Sequence, residues 1–291
     1  MSNLRFRVVE EAFKKKAIPV DMFSSRPSEY YAKYVFTREK MYKYLPIDVY
    51  NKLVDVIDNG APLERAIADE VASGMRRWAS ELGVTHYSHW FQPLTDGTAE
   101  KHDAFVEHDG KGGLMEAFSG KLLVQQEPDA SSFPNGGIRN TFEARGYTAW
   151  DCTSPAFVKD GSLYIPTLFC AYTGESLDNK TPLLKSCDAL NKEAVELLNL
   201  LGLNDVTSVT SFVGSEQEYF LVPEEFYEKR LDLKLTGRTL YGANPPKGQE
   251  LEGHYYGYLN NRVANFMKDL DAELWKYGIP AKTKHNEAAP A

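Results

Sequence analysis

Gly214-Ser215-Glu216-Gln217-Glu218-Tyr219-Phe220-Leu221-Val222 is the stretch on which the fold of this chain turns. The run from Val206 to Val222 is rich in Val, Thr, Phe and Tyr and stops at Pro223, which favours a strand over a helix. Side chains alternate along a strand. Phe212, Gly214, Glu216, Glu218, Phe220 and Val222 then share one face, and Val209, Val213, Gln217, Tyr219 and Leu221 share the other. Apolar residues on both faces predict burial within a sheet, and two carboxylates on one face of such a strand are costly to leave bare. Either a pKa rises and one acid keeps its proton, or cations stand in front of them. A divalent metal is the economical answer. Residues two apart on a strand lie roughly 6.6 Å apart, wider than the ~3.5–4 Å of a bridged metal pair, so each acid is expected to serve a different ion. The competing reading is an edge strand carrying two solvated acids.

Composition sets the bounds around that stretch. The 291 residues are 43% hydrophobic, enough for a substantial core and, at ~150 residues per domain, about two domains. Lys and Arg total 33 against 41 Asp and Glu, a net charge of -8, which disfavours a nucleic-acid or anionic-membrane partner. Cys152, Cys170 and Cys187 form neither a CxxC pair nor an even framework, as expected for reduced thiols. No apolar run approaches the ~20 residues of a membrane span, and Met1–Phe13 is too charged for a signal peptide. The expected location is the cytoplasm.

In chain order, residues 1–45 mix charge with aromatics and carry Pro19 and Pro27, predicting an irregular arm. From Pro62 onward Ile67, Val71, Met75, Trp78 and Leu82 recur at helical spacing, and Gly83 marks the stop. Short alternating runs punctuated by Asp96-Gly97, Asp109-Gly110, Gly112-Gly113 and Asn135-Gly136-Gly137 predict a small β-rich domain over 84–153. His86 and His89 fall on opposite faces of any strand there, so with Glu100, His102 and Asp103 they lack metal-site spacing. Ser162–Phe169 is a further apolar run, and Leu190, Ala194, Leu197 and Leu201 mark a helix ending at Gly202. After the acidic stretch, Gly242–Gly248 with Lys247 forms a Gly/Pro-containing loop without P-loop spacing. A long helix is predicted from Leu259 to Tyr277 with Gly278 as its stop. The segment 281–287 alternates again, placing Thr283, His285 and Glu287 on one face if it is a strand.

Glu216-Gln217-Glu218-Tyr219-Phe220, followed by His285-Asn286-Glu287, closely resembles the catalytic-domain motifs of glutamine synthetase. Glu100-Lys101-His102-Asp103, the run Glu127–Phe133, the run Phe142–Asp151 and Thr236-Gly237-Arg238-Thr239 are similar to stretches of its long type III branch. The resemblance implies an ATP-dependent ligase joining ammonium to the γ-carboxylate of glutamate through a γ-glutamyl phosphate, with two Mg2+ or Mn2+ ions per complete site. By the same resemblance Glu218 and Glu287 share one ion, Glu216 holds the other, and His285 lines the nucleotide and glutamate region. In commoner members a loop of the small N-terminal domain supplies an Asp to ammonium in the neighbouring subunit. The nearest match here is Phe118-Ser119-Gly120. The family continues past His-x-Glu with a further metal-binding Glu and with later His, Arg and Glu residues of the site, none of which this sequence contains.

The resulting expectation is an α+β protein: an N-terminal arm and helix over 1–83, a β-grasp-like small domain over 84–153, and the first part of a glutamine-synthetase-type catalytic domain over 154–291. By resemblance the partners are glutamate, ammonium, ATP and further copies of the chain in stacked hexameric rings. The chain alone is expected to be catalytically incomplete. The rival expectations are another carboxylate-amine ligase, and a noncatalytic shortened paralogue or regulatory partner of a full-length synthetase.

Overall fold

The computed structural model describes residues 6–7, 10–11, 14–21, 26–94, 97–127, 146–219, 221–238, 240, 255 and 257–287. These fall into two compact units, Ala32–Phe212 and the pairing of Met1–Tyr31 with Val213–Ala291.

The Ala32–Phe212 unit is built around its longest strand. Helices α2 (Arg38–Tyr44), α3 (Ile47–Asn59) and α4 (Arg65–Glu81) precede strands β1 (His86–Trp90), β2 (His102–Ala104), β3 (Val106–His108) and β4 (Leu114–Glu116). Helix α5 (Gly120–Val124), β5 (Gln125–Gln126), β6 (Gly146–Trp150), β7 (Phe157–Lys159), β8 (Ser162–Ala171) and α6 (Lys180–Leu200) follow. The main sheet runs β2-β1-β8-β6-β5, with β7 also on β8, and β3 and β4 form a separate hairpin. β1 runs parallel to β8, His86 opposite Ser162 through Trp90 opposite Pro166. β6 runs antiparallel to its second half, Gly146 opposite Ala171 through Trp150 opposite Thr167. Seven of the ten β8 residues are buried and the other three half-buried, as expected of a strand covered on both faces.

Helix α4 packs on this sheet because its apolar residues repeat every three or four positions. Ile67, Val71, Met75 and Trp78 are all buried. Gly83 takes a left-handed φ of 78° just beyond its end, the conformation only glycine adopts without strain. Leu53, Leu123, Leu163 and Ile165 complete the core with these residues. Helix α5 meets α4 so closely that Gly120 is obligatory. A Cβ there would lie 2.5 Å from Ala68 C and Asp69 N, and the Gly120 amide donates to Asp69 Oδ1 at 2.7 Å. At the start of α6, buried Asp178 accepts hydrogen bonds from the Phe169 and Thr181 amides, tying the helix to β8.

The smaller unit contains α1 (Pro27–Tyr30), α7 (Glu224–Tyr227), α8 (Leu231–Thr236) and α9 (Asn261–Lys276). None of the α9 residues is fully buried. Asp232 is buried beneath the Arg230 guanidinium, which donates to it through Nε at 2.8 Å and through a terminal nitrogen at 2.6 Å. Gly237 ends α8 with φ 68°.

This mixed helix-and-sheet architecture agrees with the α+β class, and the helices at 65–81, 180–200 and 261–276 fall where periodicity and glycine stops put them. Three local expectations change. The irregular arm over the first 45 residues contains α1 and α2, because Pro27 and Thr37 begin helical turns, Thr37 Oγ1 accepting from the Lys40 amide. No strand forms over 207–219 or over 279–287. An extended segment becomes a strand only when a neighbour accepts and donates its backbone hydrogen bonds, and among the described residues no ladder reaches either. Asn135-Gly136-Gly137, residues 128–133 and 142–145, Phe220, Thr239, and the Gly242–Gly248 loop with Lys247 lie outside the described residues.

Replacing Gly120 with Ala drives a methyl into α4 backbone and is expected to destabilise the Ala32–Phe212 unit by about 3 kcal/mol in denaturant titration. Ser88→Ala supplies the contrast. The Ser88 hydroxyl is buried without a hydrogen-bond partner among the described residues, so its removal is expected to be neutral or to stabilise by up to ~1 kcal/mol.

Candidate functional site

Glu216 and Glu218 sit on an extended stretch in which every residue from 211 to 219 is exposed. Phe212 is 95% and Val213 91% exposed. The buried two-faced strand expected here is therefore corrected. Apolar residues on both faces signal burial only where elements exist to cover both faces, and none of the described elements does. Neither carboxylate has a hydrogen-bond or ion-pair partner among the described residues. The stretch is anchored at Tyr219, whose ring meets Phe266 of α9 edge-on at 5.5 Å. Burial, with Asp271 as a smaller contributor, pushes the Tyr219 phenol above its ordinary pKa.

His285 and Glu287 follow α9 on the segment 279–287. They are brought together, His285 Nδ1 lying 3.2 Å from Glu287 Oε1 and 2.9 Å from the Asn286 carbonyl oxygen. The Tyr255 ring lies 5.1 Å from the His285 ring. Three side chains hold this segment. The Trp275 indole donates to the Ala281 carbonyl at 2.8 Å, and Lys284 pairs with Asp271 at 3.0 Å. Asn286 Nδ2 donates to the carbonyls of Gly257 and Tyr258 at 3.0 and 3.2 Å. Only the flanking of Asn286 by His285 and Glu287 pointed toward it. The others act across turns that periodicity does not encode.

The structure joins His285 to Glu287 but does not gather Glu216, Glu218 and Glu287 into one cluster. Among the described residues no group of three or more His, Cys, Asp or Glu side chains is placed to hold a metal ion. As arranged, these acids do not fit a dication site. An open depression beyond the acidic stretch is lined by Leu221, Val222, Glu224, Tyr227, Leu233 and Gly237, with none of the four candidate residues among them.

His89 and His102 serve the sheet. His89 is 2% exposed, with Nε2 2.7 Å from the Leu122 carbonyl and Nδ1 2.9 Å from Thr148 Oγ1. A ring nitrogen facing a carbonyl must carry the proton, so Nε2 donates and Nδ1 accepts from the Thr148 hydroxyl. Both nitrogens are thereby occupied. His102 Nδ1 meets Ser162 Oγ at 2.9 Å, across from β8, and its Nε2 lies 3.4 Å from Glu100. Phe118 is buried, and Ser119 caps α5 by accepting from the Leu122 amide at 3.4 Å. In Phe118-Ser119-Gly120, then, one side chain packs inside and the next two residues shape a helix start. The three cysteines are free. Burial raises the thiol pKa values of Cys152 and Cys170. No described helix is long and apolar enough to cross a membrane.

The fold and these residues define a mixed α+β protein bearing an acid-x-acid stretch and a His-x-Glu segment beside one amphipathic helix. A family described as glutamine synthetase type III N terminal matches residues 27–186, just over half of the chain. The chain belongs to that family. It is 57% identical over 290 residues to a glutamine synthetase of Bacteroides fragilis (strain YCH46), covering 100% of this chain and 40% of that protein. It is 44% identical over 299 residues to the type-3 glutamine synthetase of Dictyostelium discoideum, covering 100% of this chain and 41% of the relative. With a glutamine synthetase of Butyrivibrio fibrisolvens the identity is 42% over 260 residues, 88% of this chain and 37% of the relative. The chain thus spans about two-fifths of the length of these relatives.

Burial drops the His89 pKa to about 4, outweighing the opposing contact with the Leu122 carbonyl. An unfolded histidine near 6.5 binds its proton first, so stability is full above pH 6.5 and is lost as pH falls toward 4. The expected loss across that window is on the order of 3 kcal/mol. Denaturant midpoints of the wild type and His89→Gln measured between pH 7 and pH 4 check this, the variant showing the shallower slope.

Proposed function

We propose that this chain supplies the N-terminal part of an ATP-dependent glutamate–ammonia ligase. The observation that carries the proposal is the 57% identity to a glutamine synthetase along the whole of this chain, with Glu216-Gln217-Glu218 and His285-Asn286-Glu287 inside the matched region. In the reaction a γ-carboxylate oxygen of glutamate attacks the γ-phosphorus of ATP and ADP leaves. Ammonia then attacks the acyl carbon, the C–O bond to phosphate breaks, and the nitrogen loses a proton. Holding the reactants together and excluding water from the acyl phosphate are what a protein site contributes.

Glu216, Glu218 and Glu287 are the proposed binders of Mg2+ or Mn2+, and His285 the proposed neighbour of nucleotide and glutamate. Their separation in this chain supports a site that closes only when further polypeptide covers 207–219 and adds ligands. Two or three carboxylates alone fall short of the oxygen donors that Mg2+ takes in near-octahedral geometry. The proposed domain plan keeps the β-grasp-like small domain at 84–153 and the catalytic-type segment from 154 onward. Assembly into homo-oligomeric rings and a cytoplasmic location belong to the same proposal.

The purified 291-residue chain is expected to show no γ-glutamyl transfer. Joined to the remaining C-terminal part of the Bacteroides fragilis relative, it is expected to become active, and Glu287→Gln in that chimera to lower activity by on the order of 100-fold or more. A folded chimera without ligase activity, or transfer by the 291 residues alone, would overturn the proposal.

A further inference from the structure

Helix α9 ends in a turn whose outgoing direction rests on one glycine. The Gly278 amide donates to the Trp275 carbonyl at 3.0 Å and the Ile279 amide to the Leu274 carbonyl at 3.1 Å. Gly278 itself takes φ 71°. This left-handed stop satisfies the last helical carbonyls. A glycine peptide is also the easiest in the chain to rotate, so the turn alone does not fix where 279–287 points. The Tyr31 hydroxyl does so by donating to the Gly278 carbonyl at 2.6 Å, a contact spanning 247 positions of sequence. Tyr30, beside it, lies 6.3 Å from Trp275, the side chain that grips Ala281.

The same helix is held from its other end by the first residues of the chain. Asn265 Nδ2 donates to the Ile18 carbonyl at 2.7 Å, and Lys268 Nζ to the Val20 carbonyl at 2.8 Å. Lys15 pairs with Glu225 at 2.5 Å and stands 5.6 Å above the Phe226 ring. Hydrophobic burial does not account for these attachments. Ile18 is 80% exposed, and no α9 residue is fully buried. A few long-range polar contacts therefore fix α9 and its exit.

We infer that residues 15–20 and Tyr31 form a strap that positions the segment 279–287, and with it His285 and Glu287, through α9. Tyr31, Asn265 and Lys268 are positioning residues: Tyr31 holds the glycine that ends the helix, and Asn265 and Lys268 reach from the helix to the Ile18 and Val20 carbonyls. The significance for ligation rests on the function proposed above. The statement about the segment does not.

Hydrogen exchange of the intact 291-residue chain, followed by mass spectrometry, tests it. Tyr31→Phe keeps the ring and removes only the hydroxyl, and Lys268→Met keeps the stem and removes the donor. Each is expected to speed amide exchange over 279–287 roughly five-fold, as for the loss of one hydrogen bond, and to leave 86–90 and 162–171 unchanged. Lys268→Arg, which retains a donor, is expected to restore protection, a rescue that a loss of packing would not give. The Trp275 indole N–H resonance is expected to shift in Tyr31→Phe. Unchanged exchange over 279–287 in both variants, or equal acceleration in 162–171, would sink the strap. Because exchange is read on a chain that need not turn over, an inactive chimera would remove the ligase assignment without touching this result.

Discussion

The constraint on which the Ala32–Phe212 unit depends is the backbone pairing of β8 along its length. A strand buried on both faces has no water to satisfy its amides and carbonyls, so every group left over costs about as much as a lost hydrogen bond. β8 meets that demand with β1 along its first half, β7 at its start and β6 along its second half. The rest follows from this placement. A parallel β1–β8 pair requires a long connection, and the chain between them carries β2 to β7 and α5. The apolar side of the sheet must be covered, which α4 does, and α5 must then fit beneath α4, which only a glycine at 120 allows.

Polar groups inside this unit serve the same end. His89 links β1 to β6 through Thr148 and to α5 through Leu122. The Gln126 amide donates to the same threonine oxygen at 3.1 Å, which brings β5 into the network. At the end of β6, buried Asp151 forms an ion pair with Lys180 at the start of α6. Desolvation alone would raise the Asp151 pKa, yet the contacts from Lys180 and Thr153 hold it below the usual carboxylate range. Removing one partner from such a pair is expensive because it strands the other charge. Each network joins elements distant in sequence, and each is satisfied only when those elements stand in one register.

Two apolar runs that look alike in sequence fared differently, and the contrast shows what the sequence can tell. Ser162–Ala171 and Val206–Val222 both carry apolar side chains on both faces. The first has neighbours on its edges and is the spine of the sheet. The second has no strand among its described residues, is exposed from 211 to 219, and is joined to no described strand. Alternation and composition report what a segment would do if covered, and they carry no information about whether the cover is present in the same chain. Helices were more legible because their signals are local: an apolar repeat on one face, with Gly83 and Gly278 at stops. Of the candidate site, the closeness of His285 and Glu287 was visible from their spacing. The roles of Tyr31 and Trp275 were not, since a single hydrogen bond across 247 positions leaves no periodic trace.

The smaller unit works under a different balance from the larger one. Among the described residues no α9 side chain is fully buried, and its segments are tied by individual hydrogen bonds, each worth about 1 kcal/mol net, and by ring contacts such as Tyr219 on Phe266. Such an arrangement opens locally at low cost. Among the described residues nothing covers the exposed Phe212 and Val213 or pairs with the Glu216 and Glu218 carboxylates. Covering the stretch would remove the apolar groups from water at ~25 cal/mol per Å2, and would at the same moment raise the cost of leaving the acids uncompensated. Burial and charge neutralisation are then coupled: a partner segment that pairs with 207–219 is favoured most when it brings cations or cation ligands with it.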